Sequence, residues 1–149
     1  MFEERVAELE ALARAQGLDF FPTSFEEVPQ DIMIEVAAYG LPTRARHWSY
    51  GKVYNSQRLY GTMGLSKIYE IVLNNDPGLA FLLDSNPEIA NLLVAAHVFG
   101  HVDFFKHNAM FADTNRNMVN DAVAHALRID GYIERYGLEA VEHLMDIGF

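Results

Sequence analysis

The sequence contains no cysteine, which excludes disulfide bonds and thiolate metal sites. Basic residues are also few: 11 Lys and Arg stand against 21 Asp and Glu, and the formal net charge is -10 at neutral pH. A surface for duplex nucleic acid needs a basic face, so nucleic acid is not an expected partner. The same acidic balance is compatible with a bound cation or a basic protein partner.

Long apolar runs and phosphate-binding loops are missing as well. No apolar stretch reaches the roughly 18 residues of a membrane span, and residues 1–15 are acidic and amphipathic, unlike a secretory signal. We therefore expect a soluble cytoplasmic protein without a membrane partner. Gly61 and Gly64 are too few and too badly spaced for a glycine-rich phosphate loop. Ser49 and Ser66 lack the elbow motif of a serine nucleophile.

Apolar residues, in contrast, are plentiful. Half of the 149 residues are hydrophobic and 12% are aromatic, which excludes intrinsic disorder and allows a sizeable core. With no repeat or linker, residues 1–149 are predicted to form a single domain. The predicted fold class is α+β and predominantly α-helical, a compact domain with a small antiparallel hairpin packed on a central histidine-containing helix. A zincin-like arrangement is one option for this combination.

Hydrophobic periodicity and turn signals place the elements. The predicted helices are residues 2–16, 29–39, 87–108, 116–136 and 138–147. Ser24 and Glu27 have capping-box spacing before the second helix. Residues 43–64 are predicted to be mostly ordered loop, with a short helix allowed. Residues 68–73 and 79–83 flank a strong turn signal and fit a hairpin best, with a broken helix pair as the alternative.

Two histidines lie one helical turn apart in the most apolar long run of the chain. His97 and His101 share one helix face and are near enough to bind one metal ion. The spacing resembles the metalloprotease pattern H-E-x-x-H, but Val98 occupies the position of the usual general base. The alternative is a pair of core histidines that hydrogen-bond to neighbours. The small residues Ala96 and Gly100 beside the pair favour the metal interpretation.

A metal site needs a third ligand, and three residues are candidates. His125 lies in an apolar stretch of the next long helix, which antiparallel packing would bring to the histidine pair. Glu35 and Glu70 are each the single acid in an apolar run, so we expect both to be buried and to contact a histidine or an arginine. The alternatives are a satisfied core histidine and structural ion pairs with Arg44, Arg46 or Lys67.

The donor set limits the choice of metal. Imidazole and carboxylate ligands without a thiolate suit zinc, iron or manganese. We therefore predict a divalent transition metal as cofactor, with zinc as the first choice.

Several motifs together resemble the amino-terminal region of the SpoVR family, the stage V sporulation protein R family. They are GLDFFP (17–22), DIMIEVAAYGLPTR (31–44), HWSYGK (47–52), GLSKIYEIVLNNDP (64–77), AHVFGHVDFFKHN (96–108) and TNRNMV (114–119). The resemblance implies a link to spore cortex formation, although the family is also widespread in bacteria that do not sporulate. It implies no particular biochemical activity. Family members are several times longer, so the chain is either a minimal member or a fragment.

The first functional hypothesis is a metal-dependent hydrolase with a zincin-like site. His97, His101 and His125 would hold the ion, and Glu70, or Glu35 as second choice, would act as the general base on a metal-bound water. Amide or peptide bonds are the predicted substrate class. Cell-wall material as their source is implied only by the family's link to sporulation.

Two other hypotheses remain open. A non-catalytic regulatory or adaptor domain would use the same residues as a structural metal site or a polar core network, and Val98 favours it. A di-iron or mononuclear oxidative site is the third. The sequence also leaves open the substrate or protein partner and a homo-oligomeric state.

Overall fold

The computed structural model describes residues 1–40, 47–63 and 67–148. These residues form a mainly helical α+β structure, as predicted, with six α-helices and three strands. Among them, no helix is both long and apolar enough to cross a membrane. In chain order the elements are α1 (Phe2–Ala15), β1 (Thr23–Val28), α2 (Gln30–Tyr39), α3 (Trp48–Thr62), β2 (Glu70–Leu73), β3 (Gly78–Leu83), α4 (Glu88–His107), a 3-10 turn (Ala109–Phe111), α5 (Met118–Tyr136) and α6 (Leu138–Gly148).

The chain divides into two compact units. The first unit comprises Met1–Met33 and Lys67–Asn117, and therefore contains α1, the three strands and α4. The second comprises Ile34–Ser66 and Met118–Phe149, with most of α2 and all of α3, α5 and α6.

The three strands form one mixed sheet in the order β1-β3-β2. β2 and β3 pair antiparallel, which confirms the predicted hairpin, although the first strand begins at Glu70. β1 adds to the other edge of β3 in parallel. Ser24 and Glu27 therefore lie in a strand, and the predicted capping box is wrong. Capping-box spacing is a local signal, whereas the pairing that forms β1 joins residues more than fifty positions apart, such as Thr23 and Gly78.

The core of the first unit forms where α4 packs against the sheet and α1. Phe99 of α4 stacks on Phe20 with 4.5 Å between ring centroids, and Phe25 of β1 meets Phe99 edge-on at 5.4 Å. Val98 and Ala80 are fully buried in the same cluster. The apolar side chain at position 98 is therefore part of the packing that holds α4 in place.

A buried amide connects the same helix to the sheet. Asn91 of α4 has no exposed surface. Its Nδ2 donates to Glu27 Oε1 at 2.8 Å and to the Leu83 carbonyl oxygen at 3.1 Å, and its Oδ1 accepts from Asn86 Nδ2 at 3.0 Å. One side chain thus joins α4 to β1, to the end of β3 and to the loop between β3 and α4.

Two other predictions differ from the structure by more than the ends of an element or have a visible cause. Residues 48–62 form a full helix, α3, so the prediction of mostly loop is wrong there, and the helix begins after His47, which caps it. The helix predicted for residues 116–136 begins at Met118, because Arg116 is hydrogen-bonded to the turn between β2 and β3. Its carbonyl accepts from the Asp76 N–H at 2.8 Å, and its guanidinium donates to the Asn75 carbonyl at 2.6 Å.

Charged side chains contact one another on the surface at the carboxyl end of α4. Lys106 donates to Asp19 Oδ1, and the Asp19 N–H donates to Asp103 Oδ1 at 2.8 Å. His107 Nδ1 lies 3.5 Å from Asp103 Oδ1. The hydrogen bond from Lys106, and then its charge and that of His107, hold the pKa of Asp19 below its ordinary value of 3.8.

The Asn91→Leu variant tests the buried amide. Leucine keeps the volume but leaves the Leu83 carbonyl and the Asn86 amide without their partner, so we expect a loss of about 1–3 kcal/mol in the free energy of unfolding. Urea unfolding followed by circular dichroism measures it. Leu93→Ala, at a 69% exposed position of the same helix, is the control and should change stability by less than about 0.5 kcal/mol. Equal stability of Asn91→Leu and wild type would show that the network does not hold α4.

The Asp19 carboxyl should titrate below 3.8, and Lys106→Gln should move its pKa back toward that value. NMR titration of the side-chain carboxyl measures both. Since the folded pKa lies below the unfolded one, the contact stabilises the fold above the unfolded pKa, and that contribution is lost as pH falls through the folded pKa. An unchanged pKa in Lys106→Gln would contradict the assignment of Lys106 as the main cause.

Candidate metal site

α4 places the two histidines beside the buried face of the first unit. Val98 and Val102 point into the core, and His97 and His101 lie along the neighbouring edge of the same helix. The two imidazole rings are 4.4 Å apart between centroids and nearly perpendicular, at 82°. The predicted placement of both rings on one side of a helix is confirmed.

Glu70 reaches the histidines from the sheet. Successive strand residues alternate between faces, so Glu70 and Val72 of β2 point to the same side. Val72 packs against the core cluster that contains Val98 of α4, and its partner in the register is the buried Ala80. The side of β2 that carries Glu70 is therefore the side that faces α4.

The three side chains form one compact cluster, the Glu70–His97–His101 cluster. Glu70 Oε1 lies 3.7 Å from His97 Nε2. One potential ligand atom from each of the three residues lies within 4.8 Å of the other two. Metal–ligand bonds of roughly 2.0–2.1 Å at tetrahedral angles separate two ligand atoms by about 3.3 Å. Small side-chain rotations would therefore suffice to bring the three groups onto one ion.

Core residues support the cluster on one side, and solvent reaches it on the other. The ring of His101 is half-buried and lies nearly parallel to Phe105, with 6.4 Å between centroids, and Phe105 packs on the core. The Glu70 side chain is 23% exposed, whereas that of His97 is 61% exposed. The cluster is thus anchored by core residues and open to solvent at His97.

Glu70 meets the sequence expectation in part. It is half-buried, and its neighbour is a histidine, which was one of the two predicted kinds of partner. Of the basic residues considered as ion-pair partners, Lys67 lies over the ring of Tyr69, 5.2 Å from the centroid. Arg44 and Arg46 lie outside the described residues.

Two predicted site residues belong to the second unit. Glu35 is exposed on α2, so the expectation that it is buried is wrong. Its neighbours in sequence, Ile34 and Val36, are buried, but an apolar run does not by itself tell which side of a helix the one acid occupies. His125 is exposed on α5. The roles of Glu35 as a base and of His125 as a ligand stay predictions.

Sequence reasoning missed Asp146 altogether. In the second unit this carboxylate of α6 accepts a hydrogen bond from Trp48 Nε1 at 2.7 Å and lies 3.2 Å from His47 Nε2. The residues are almost a hundred positions apart, so no local spacing signals the contact. Ser49 was set aside for lack of an elbow motif, yet its hydroxyl lies 2.7 Å from the other nitrogen of His47.

The chain has a relative among known proteins. The uncharacterized protein YcgB of Escherichia coli (strain K12) is 36% identical over 148 residues, which cover 95% of this chain. The chain spans only 29% of the length of that relative. No solved structure matches the chain.

The sequence model of the family described as SpoVR like protein matches residues 1–148. That match takes in all six motifs on which the resemblance rests, including the helix with His97 and His101 and the strand with Glu70. The resemblance is therefore confirmed, and the chain belongs to the SpoVR-like family.

Proposed function

We propose that Glu70, His97 and His101 bind one divalent transition-metal ion, zinc first, and that the ion serves a hydrolytic reaction. The mutual proximity of the three potential ligand atoms carries this proposal. Two imidazoles and one carboxylate are a donor set of catalytic zinc in hydrolases, in which water occupies the fourth position. The exposure of the His97 side chain leaves room for that water and for a substrate.

In this proposal Glu70 is a ligand rather than the general base of the first hypothesis. Its Oε1 is 3.7 Å from His97 Nε2, close to the spacing of two ligands on one ion, whereas a base contacts the metal-bound water. The buried Val98 supplies no base from the helix. A zinc ion can compensate, because it lowers the pKa of its bound water to about 7 and makes hydroxide available near neutral pH.

The substrate class that we propose is an amide or peptide bond. An ion held by Glu70, His97 and His101 would supply the polarisation of a carbonyl oxygen that cleavage of such a bond needs. Cell-wall material is the proposed source of the bond, and this part depends on the link to sporulation that the family resemblance implies.

Two other functions use the same cluster. A regulatory or adaptor domain would hold the ion without turnover, and the use of Val98 for packing favours it. A mononuclear iron site for oxidative chemistry is favoured by the donor set, because two histidines and one carboxylate also bind iron(II) in oxygenases. The identity of the metal that co-purifies with the protein distinguishes the oxidative site from the hydrolase and from the adaptor domain.

Metal content tests the cluster directly. Protein purified without an affinity tag or added metal should carry about one transition-metal ion per chain. Mass spectrometry should show that His97→Ala and His101→Ala lose the ion. His107→Ala, which removes an exposed histidine of the same helix outside the cluster, is the control and should keep it. The same measurement on His125→Ala tests the predicted additional ligand. Equal, negligible metal in wild type and His97→Ala would end the proposal.

Glu70→Gln separates the possible roles of the carboxylate. As a ligand, Glu70 should be needed for binding, and its loss should weaken metal affinity by more than the roughly 10–100-fold cost of losing an outer partner. Titration with zinc under a competing chelator measures the affinity, and release of amines from peptides and cell-wall fragments measures hydrolysis. Glu88→Gln, an exposed acid in the first turn of α4, is the matched control.

Two other results of the Glu70→Gln experiment would assign a different role to Glu70 or to the domain. Retained metal with a loss of hydrolysis by about 100-fold or more would make Glu70 the general base. Retained metal without any hydrolysis in the wild type would favour the adaptor.

A further inference from the structure

His47 of the second unit is a buried imidazole with a polar group at each ring nitrogen. It lies directly before α3 in extended backbone conformation, and only 1% of its side chain is exposed. Its Nδ1 accepts from the Ser49 N–H at 3.4 Å and lies 2.7 Å from Ser49 Oγ. Since an atom that accepts from an N–H carries no proton itself, the contact assigns the ring proton to Nε2. The Ser49 hydroxyl is then the donor to Nδ1.

The other side of the ring faces a carboxylate. Asp146 Oδ1, on α6, lies 3.2 Å from His47 Nε2, the nitrogen that carries the proton. The same oxygen accepts from Trp48 Nε1 at 2.7 Å, which fixes its position beside the ring. Tyr50 meets the ring nearly edge-on, with 5.9 Å between centroids. The imidazole is therefore enclosed between the Ser49 hydroxyl and the Asp146 carboxylate, and the carboxylate approaches Nε2 closely without hydrogen-bond geometry.

We propose that Ser49, His47 and Asp146 form a serine-nucleophile centre that accepts the acyl group of small carboxylic esters. A hydroxyl, an imidazole and a carboxylate in this order are the parts by which such centres are recognised, whatever their order along the chain. Here Nδ1 faces the serine and Nε2 the carboxylate. Either nitrogen of a neutral imidazole can serve as the base when the other carries the proton. The partial burial of Ser49 restricts the acyl group to a small one.

The reaction needs no group beyond the ester and water. Ser49 Oγ bonds to the carbonyl carbon while its proton passes to His47 Nδ1, and Asp146 stabilises the imidazolium. The bond from the carbonyl carbon to the alkoxy oxygen then breaks, and the proton on Nδ1 leaves with the alcohol. Water attacks the acyl-serine in the same way, giving its proton to His47. Release of the carboxylic acid returns the proton to Ser49.

Ser49 lies where the helix terminus would stabilise the negative charge that develops on the attacked carbonyl oxygen. Ser49 lies in the first turn of α3, which spans 15 residues. The amino-terminal turn of a helix carries backbone N–H groups without intrahelical partners and a partial positive charge. The Ser49 and Tyr50 N–H groups are bonded to His47, so the partial positive charge of the helix terminus is what would stabilise an oxyanion at the attacked carbonyl.

A purely structural role for His47, as the cap of α3, is the alternative, and substitution can separate the two. His47→Asn keeps a side chain that caps helices well but removes the base. Asp146→Asn keeps an oxygen acceptor for Trp48 but no longer stabilises an imidazolium. A cap alone would make Ser49 no more reactive than any other serine in the chain.

Labelling by a fluorophosphonate probe tests the proposal. The wild type should be labelled at Ser49, as mapped by peptide mass spectrometry, and should release nitrophenol from p-nitrophenyl acetate. Ser49→Ala should abolish labelling, and His47→Asn and Asp146→Asn should each slow it by about 100-fold or more. Ser56→Ala, at an exposed serine of the same helix, is the control and should label like the wild type. The activity should persist in a metal chelator, which separates it from the proposed metal-dependent reaction.

Three results would overturn the proposal. They are no labelling of the wild type, labelling that unfolded protein shows equally, and labelling of His47→Asn at the wild-type rate. Thermal unfolding by circular dichroism checks that each variant is folded. If His47→Asn does not fold, Asp146→Asn decides, because its position on α6 is partly exposed. Labelling of Asp146→Asn at the wild-type rate would then reject the centre.

Discussion

The buried amide of Asn91 determines where α4 lies on the sheet, and the candidate metal site depends on that placement. Its three hydrogen bonds reach β1, the end of β3 and the loop that precedes the helix. A buried amide left without partners would cost free energy, so the helix cannot slide or rotate without losing these bonds. His97 follows Asn91 by six positions on the same rigid helix. Glu70 is held by β2, which pairs with the same β3 strand.

Apolar packing also fixes the position of α4 on the sheet. The stacking of Phe20 on Phe99 and the burial of Val98 press α4 against the sheet along the turns that carry His97 and His101. This explains why a helix with metalloprotease-like spacing has valine in place of the usual glutamate. In this fold position 98 faces the core, where an unpaired carboxylate would be costly. The acid of the cluster comes from β2 instead, on the side of the strand that packs against the helix.

The sequence predicted the elements that have a local signal, and it missed those that depend on contacts between residues far apart in the chain. The helix with His97 and His101 and the hairpin around Asn75 were predictable, because helical periodicity and turn residues are local features. β1 was not, since Ser24 and Glu27 lie in a strand only because β3 pairs beside them. Glu70 and Glu35 had the same sequence signal, a lone acid in an apolar run. Only packing distinguishes the half-buried Glu70 from the exposed Glu35. Asp146 had no signal, because its contacts with His47 and Trp48 are set by tertiary structure.

The charge of the chain bears on cation binding by the Glu70–His97–His101 cluster. In the forms that ligate a metal, the two imidazoles and the carboxylate would offer a cation a site of net charge -1, within a chain of net charge -10. Such a field raises the local concentration of cations and opposes the approach of anions. Binding of a divalent metal to the cluster would therefore be favoured electrostatically, and the loaded site would carry a net charge of about +1. The acidity of the chain thus bears on the binding of the cation, and not on the choice of substrate.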